Sequence, residues 1–425
     1  MFVKQRTVAR EINPEKAKEI DIVLKRVLDV NNTVTIPEVL DDIDGEIRYA
    51  NGVKRKPAIH IGQRKLMLGE IQYLLKHTKS KLDSVSYRVV YAGAAPSMHL
   101  GVLIKMFPNL KILLIDPNEF LIKFDNKTHY ETDDVVYFKA EKLNMYKLKT
   151  RKINYFDGKS VQKVNVAKLP MVDWKKAIDY METSSKKIFI YQGYMTNEIA
   201  EMFTGWHLWS DIRTLSSGKV PGDSDIIWNL AQQFVWMMKM DPPSAMLKFR
   251  MPFFIEKRLS FHSTAIKQVK EAKNYGIDFI SEYKNGKLKY PGGKVLLQIW
   301  PGSNSAETRL YTNSKEDMVE WDDIKYEGKL FYWNNIQRPF LYHENKRSNK
   351  KYGFDHCGDC ALECAIWDEY EEKYEECPKW LEIIGKATKH LCFGGHGELF
   401  HKLKFSEIED LHKKSLYYDP NEKFD

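Results

Sequence analysis

The sequence predicts an α/β protein built on a predominantly parallel, doubly wound sheet with helices on both faces. Three observations carry this. The β-branched and aromatic run Val89-Val90-Tyr91-Ala92 breaks into the small-residue turn Gly93-Ala94-Ala95-Pro96-Ser97, and a helix-like segment follows. A second apolar run, Lys111-Ile112-Leu113-Leu114-Ile115, then ends on the carboxylate of Asp116. Further strand candidates at 188–191, 206–209 and 294–300 alternate with helical patterns, clearest over 226–239, as βαβ units require.

In chain order, residues 14–30 read as a charged helix, followed by Asn31-Asn32-Thr33 and the acidic Asp41-Asp42-Ile43-Asp44. Residues 1–50 are therefore an N-terminal arm and lead-in. Residues 64–79 place Leu66, Leu68, Ile71, Leu74 and Leu75 at helical spacing ahead of the first strand. The main domain runs over 51–345, with the polar stretch 125–173 read as an insertion. Residues 346–425 are expected to form a helical C-terminal extension packed on the same domain.

The 425 residues are 43% hydrophobic and 13% aromatic, enough for a folded core. Lys4, Arg6, Arg10, Glu11 and Pro14 interrupt the start, so it lacks the apolar core of a signal peptide. No segment approaches ~18 uninterrupted apolar residues. A soluble, cytoplasmic protein without a membrane partner is expected. The net charge of +8 is mild, but positive residues gather in Lys54-Arg55-Lys56 and Arg64-Lys65, and acids gather late, in Asp368-Glu369 and Glu371-Glu372. A basic front suits a polyanionic substrate. The five cysteines, Cys357, Cys360, Cys364, Cys377 and Cys392, lie in the last quarter, and their odd number argues against a disulfide framework. The spacing of Cys357, Cys360 and Cys364 is metal-like, but the intervening apolar residues have helical periodicity. Buried thiols are expected, and no metal.

A Gly/Ala turn lets backbone approach a ligand at a helix N-terminus, and an acid at the tip of the next strand can accept ribose hydroxyls. There is no G-x-G-x-x-G and no G-K-[ST], so an adenosine ligand without a pyrophosphate fits better than NAD or ATP, with S-adenosyl-L-methionine foremost.

Four further residues sit at edges of apolar elements: Lys65, Asp211, Lys248 and Glu307. Taken singly each is an ordinary charged element end. Together, at the carboxyl ends of strands, they would converge on the ligand crevice. Methyl transfer to a ribose hydroxyl needs such a set, because the hydroxyl must lose its proton as it attacks. A lysine does this once its pKa falls from ~10.4, through desolvation or a nearby cation. Lys65 and Arg250 would supply that cation, and Asp211 and Glu307 would orient the amines.

At these residues the sequence resembles the poxvirus-type cap-specific mRNA (nucleoside-2'-O-)-methyltransferases, a family that also serves as the small subunit of poly(A) polymerase. The resemblance rests on Gly62-Gln63-Arg64-Lys65-Leu66-Met67-Leu68-Gly69-Glu70, Tyr91-Ala92-Gly93-Ala94-Ala95-Pro96, Leu114-Ile115-Asp116 and Ser210-Asp211-Ile212-Arg213. It continues through Leu247-Lys248-Phe249-Arg250-Met251-Pro252-Phe253 and Ser305-Ala306-Glu307-Thr308-Arg309-Leu310. It spans roughly 45–335 in ordered patches.

The resemblance implies a Rossmann-like S-adenosylmethionine-dependent methyltransferase sheet, with Lys65, Asp211, Lys248 and Glu307 catalytic. It implies cofactor binding by Tyr91, Gly93, Ala95, Pro96, His99, Asp116 and Asp211, with the adenine near Tyr194 and Met195. It further implies a cap pocket of Tyr49, Phe253 and Glu327, in which two rings sandwich the cationic methylguanine, and RNA contacts from Arg213 and Arg250. The family's acid after the phenylalanine falls on Ile255 here, with Glu256 beside it, and Ser97 stands where the family has glycine. Cap-directed 2'-O-methylation of capped mRNA is the implied activity, with a poly(A) polymerase catalytic subunit as a possible partner. The alternatives are the same chemistry on another RNA and a non-catalytic RNA-binding processivity subunit of that polymerase.

Overall fold

The computed structural model describes residues 38–43, 46, 62–78, 86–120, 122, 135–140, 152–156, 159–165, 173–214, 221–256, 258–283, 286–301, 305–334 and 358–374. Tyr49, the basic run 54–56, the helix expected over 14–30, and Cys357, Cys377 and Cys392 lie outside them.

The first half comprises α1 (Gly62–His77), β1 (Tyr87–Ala92), α2 (Leu100–Met106), β2 (Leu110–Ile115), β3 (Val135–Ala140), β4 (Lys152–Phe156) and β5 (Val161–Asn165). Then come α3 (Trp174–Thr183), β6 (Ile188–Gln192), α4 (Asn197–Met202), β7 (His207–Ser210), α5 (Asp223–Met240), β8 (Ala245–Phe249), α6 (Ser263–Glu271) and α7 (Phe279–Glu282). The remainder is β9 (Lys287–Pro291), β10 (Lys294–Leu296), β11 (Thr308–Thr312), β12 (Met318–Asp322), α8 (Asp323–Tyr332) and α9 (Gly358–Lys373).

Among the described residues ten strands form one sheet in the order β10-β11-β8-β7-β1-β2-β6-β3-β4-β5, and β9 and β12 form a separate pair. The central strands β8, β7, β1, β2 and β6 are parallel, whereas β11 runs antiparallel to both β8 and β10. The α/β expectation therefore holds, for a plain reason. All five residues of β6 and the last four of β1 and β2 are buried, so both faces of these strands are covered and the sequence reads as unbroken apolar runs. From β1 the chain moves outward through β2 in one direction and later returns to place β7 on the other side of β1. The topological switch point, where open α/β sheets bind ligands outside the carboxyl ends of their strands, lies between β1 and β7.

Two sequence expectations look different in three dimensions. The polar stretch 125–173 contributes three strands to one edge of the sheet, with β3 parallel to β6 through the buried Val135, Val136 and Phe138. The strand expected over 294–300 stops at Leu296. The Leu297 amide is taken by the Glu38 carbonyl at 2.9 Å, and Trp300 adopts a left-handed φ of 59°, which breaks the ladder. In the C-terminal segment the described residues form α9, which packs against α1.

Candidate active site

The sheet register brings the separate sequence segments to one edge. Ala92 pairs with Ile115 on one side and with Ser210 on the other, and Ser210 pairs with Leu247. The next residues, Gly93, Asp116 and Asp211, thus emerge together. Because β11 is antiparallel, its start lies at this same edge, and Arg309 pairs directly with Lys248. Gly93 is constrained by close approach, since at its φ of 76° a Cβ would come within 2.7 Å of the Ile212 backbone nitrogen.

Here the four charged residues meet. The Lys65 amine donates to Glu307 Oε1 at 3.0 Å, while Lys248 Nζ lies 2.9 Å from Asp211 Oδ1 and 3.1 Å from Glu307 Oε2. A fifth member, to which the sequence reading gave no role, is Arg309. Its guanidinium reaches Asp211 at 2.6 Å and Glu307 at 3.1 Å. The signal was available, because Glu307 and Arg309 are two residues apart at a strand start and so face the same side. Tyr326 fixes this turn, its hydroxyl donating to the Ala306 carbonyl at 3.0 Å and hydrogen-bonding Thr308 Oγ1 at 2.8 Å.

The electrostatics follow from burial and charge. Burial lowers the pKa of Lys65, against the carboxylates of Glu307 and Asp211 that raise it, and Arg309 adds to the lowering. Burial tends to raise the pKa of the Glu307 carboxyl, but the fields of Lys65, Lys248 and Arg309 outweigh it and hold that group well below the ordinary carboxylate range. For Arg309, burial opposes the charge and Asp211 and Glu307 more than compensate. Beyond the cluster opens a cleft of about 170 Å³ whose lining includes Lys248, Glu307, Arg213, Arg250 and Ile212.

On the expected cofactor side, Asp116 accepts from the Ala95 amide at 3.2 Å and from the Asn118 amide and side chain at 2.8 and 2.9 Å. Those three bonds orient the carboxylate and leave about one of its roughly four acceptor sites for a further hydroxyl. Burial raises its pKa. An oriented carboxylate with an open acceptor position fits a ribose hydroxyl of an adenosine. Ser97 occupies a left-handed φ of 49°, a conformation that glycine takes without strain, and its hydroxyl donates to the Ala94 carbonyl at 2.5 Å.

His99 and Tyr91 are buried beneath the turn. The His99 ring lies 2.7 Å from Glu70, and burial raises the Tyr91 hydroxyl well above the ordinary range, with Glu70 adding to the shift. After β6, Met195 is buried and Tyr194 is exposed.

At the expected cap pocket, the Arg250 guanidinium lies 4.1 Å from the Phe253 ring centroid. The loop carrying Phe253 is organised by Asp223, another residue to which the sequence reading gave no role. Fully buried, Asp223 accepts from the amides of Phe253, Ile255 and Glu256 at 2.6, 2.9 and 3.2 Å and from the Tyr283 hydroxyl at 2.5 Å. Glu256 is itself engaged, accepting from the Ser224 hydroxyl at 2.6 Å. Across from this loop, burial raises the pKa of Glu327, with Asp223 adding to the rise and Arg250 opposing it. Burial and the neighbouring Glu327 and Asp223 push Asp323 up to about 7.

Among the described residues no group of three or more His, Cys, Asp or Glu side chains could hold a metal ion, and no helix is long and apolar enough to cross a membrane.

A family model described as the poly A polymerase regulatory subunit matches residues 37–154. A cap-specific mRNA (nucleoside-2'-O-)-methyltransferase of Myxoma virus (strain Lausanne) is 24% identical over 325 residues, covering 74% of this chain and 74% of the relative. The Fowlpox virus (strain NVSL) protein of the same name is 23% identical over 303 residues, covering 69% and 73%. A solved structure of bluetongue virus VP4, described as a multifunctional RNA-capping production line, shares 10% identity at a TM-score of 0.32, over 86% of this chain and 47% of that one. This chain thus spans less than half the length of that structure. It is a distant relative of poxvirus cap-specific 2'-O-methyltransferases over about three quarters of its length.

Proposed function

We propose that this protein transfers the methyl group of S-adenosylmethionine to the ribose 2'-hydroxyl of the first transcribed nucleotide of capped mRNA, with a lysine as general base. The observation that carries the reading is the continuous chain Lys65, Glu307, Lys248, Asp211 and Arg309 at the carboxyl edge of the sheet, beside a cleft walled by Arg213 and Arg250. With every group ionised it holds three cations and two carboxylates, one excess positive charge among largely buried groups. Of the two amines, Lys248 borders the cleft.

Lys248 Nζ takes the hydroxyl proton, Asp211 and Glu307 aim the amine, and Lys65 and Arg309 help keep Glu307 ionised. The cofactor, when bound, supplies an electrophilic methyl sulfonium. Asp116 and the Gly93–Ala95 turn orient its ribose. Arg213 and Arg250 provide positive charge for the RNA backbone, and Phe253 and Glu327 recognise the cap guanine. The Arg250–Phe253 contact is of the kind a cationic base makes with a ring face. The reading places the protein in the cytoplasm.

Labelled S-adenosylmethionine, offered with RNA ending in a methylated cap, an unmethylated cap or a triphosphate, tests this directly. The label is expected on the 2'-oxygen of the first nucleotide of capped RNA. Label on internal or uncapped positions would transfer the reading to another RNA. Asp116→Ala should weaken cofactor binding by about 1.5–3 kcal/mol, the range for a hydrogen bond to a charged group. Calorimetry showing unchanged affinity removes Asp116 from the site. Phe253→Ala and Glu327→Ala should each weaken capped RNA selectively, the ring by ~1–3 kcal/mol, because backbone contacts are separate from base contacts. Equal losses on capped and uncapped RNA in a filter-binding titration would count against a cap pocket.

A second reading rests on the family-model match: a poly(A) polymerase catalytic subunit as partner, with this chain as its RNA-binding processivity subunit. The two roles are compatible, and co-purification with a polymerase chain together with lengthened poly(A) products would establish the second.

A further inference from the structure

The C-terminal helix α9 lies beyond the residues that carry the resemblance, yet it grips α1, the helix bearing Lys65, at both ends. Near the start of α1, fully buried Arg64 donates through Nε to both carboxylate oxygens of fully buried Glu363, at 3.1 and 3.0 Å, and its Nη2 donates to Oε1. Two indoles complete the Glu363 shell, Trp300 Nε1 at 2.7 Å and Trp367 Nε1 at 3.1 Å. The Trp300 backbone amide donates to Asp359 of α9 at 2.8 Å. At the far end of α1 the Lys373 amine donates to the Leu75 carbonyl, and the Tyr370 hydroxyl ties α9 to the Met106 carbonyl at 2.6 Å.

From this arrangement we infer that Glu363 is a positioning residue for the active site: by clamping Arg64 it fixes the first turn of α1 and so sets the depth of the Lys65 amine against Glu307. The argument is geometric. Arg64 and Lys65 are consecutive in a helix, whose hydrogen-bonded backbone moves as a unit, so Arg64 cannot shift without carrying Lys65 with it. A carboxylate that receives a forked guanidinium and two indole donors has one well-defined position. The Lys65 amine responds to small displacements, because it is desolvated and faces Glu307, Asp211 and Arg309 at close range. Trp300 stands in a left-handed backbone conformation where the expected strand ends, and the same carboxylate holds its indole. One buried anion thereby connects α1, the 297–301 connection and α9.

The test uses the full chain and reads Lys65 without methyl transfer. Competitive amine acylation across pH, resolved by mass spectrometry, gives the titration of individual lysines. Glu363→Gln keeps the shape but not the charge, and is expected to move the Lys65 midpoint toward that of an ordinary lysine by about one pH unit. Lys111, tied to the Met181, Glu182 and Ser184 carbonyls away from the cluster, is expected to keep its profile. A change common to all lysines would indicate general loosening and overturn the positioning role, as would an unchanged Lys65.

Trp367→Phe removes one donor from Glu363 and spares the Arg64 pair. It is expected to shift Lys65 in the same direction by less, and it decides the matter if Glu363→Gln does not fold, no shift then overturning the inference. The kinetic arm rests on the methyl-transfer reading: Glu363→Gln should lower kcat by up to about 10²-fold, the cost of a small misplacement, with the cofactor KM unchanged and Glu363→Asp partly restoring kcat. An inactive parent protein would defeat the proposed function and leave the acylation result standing.

Discussion

Lys248→Ala is expected to lower methyl transfer by ~10²–10⁴-fold, the usual loss for a positioned general base, with cofactor affinity nearly unchanged. Lys248 is held by Asp211 and Glu307 and borders the cleft, whereas the carboxylate assigned to the ribose is Asp116, on another strand. Removing the amine also deletes one of the three cations facing Glu307, but Lys65 and Arg309 remain to keep that carboxylate ionised. Single-turnover rates on capped RNA, with calorimetry of cofactor binding on the same preparation, separate the two effects. Near-normal turnover would remove Lys248 from the chemistry. A parallel loss of cofactor affinity would mean that the cluster supports the crevice as a whole.

Arg309→Met is expected to give the largest stability loss, about 3–5 kcal/mol. The guanidinium is 4% exposed and pairs with two carboxylates, so its removal leaves negative charge with fewer partners in a largely desolvated place. Lys65 and Lys248 still reach Glu307, which puts the loss toward the lower end of that range. Denaturant unfolding of Arg309→Met measures it, and Arg309→Met combined with Asp211→Asn should recover part of it, because the second change removes one of the stranded charges. A loss below about 1 kcal/mol would mean that water already screens this pair.

Family resemblance and local pattern made the candidate tetrad legible at the level of residue identity. Lys65, Asp211, Lys248 and Glu307 each sit where an apolar run ends or begins, and runs that end on charge are visible without a structure. Their union was not visible, because it depends on an antiparallel β11 lying next to β8, which places Arg309 opposite Lys248. Period-two alternation and run length say nothing about which strand a given strand will pair with. For the same reason the sequence reading gave no role to Arg309 or to Asp223, all four of whose donors come from residues thirty or more positions away.

The sequence by itself determined the α/β class, the central strands β1, β2, β6 and β7 and the crevice-forming turn, because burial on both faces writes continuous apolar runs and a close backbone approach demands glycine at position 93. The tertiary structure alone decided three things: the strands within 125–173, the end of β10 at Leu296, and the grip of α9 on α1. Each depends on pairing between segments distant in sequence. Arg64 meets Glu363 across 299 residues, and a buried ion pair leaves no local periodicity, since its stabilisation comes from the partner and the excluded water rather than from neighbours along the chain.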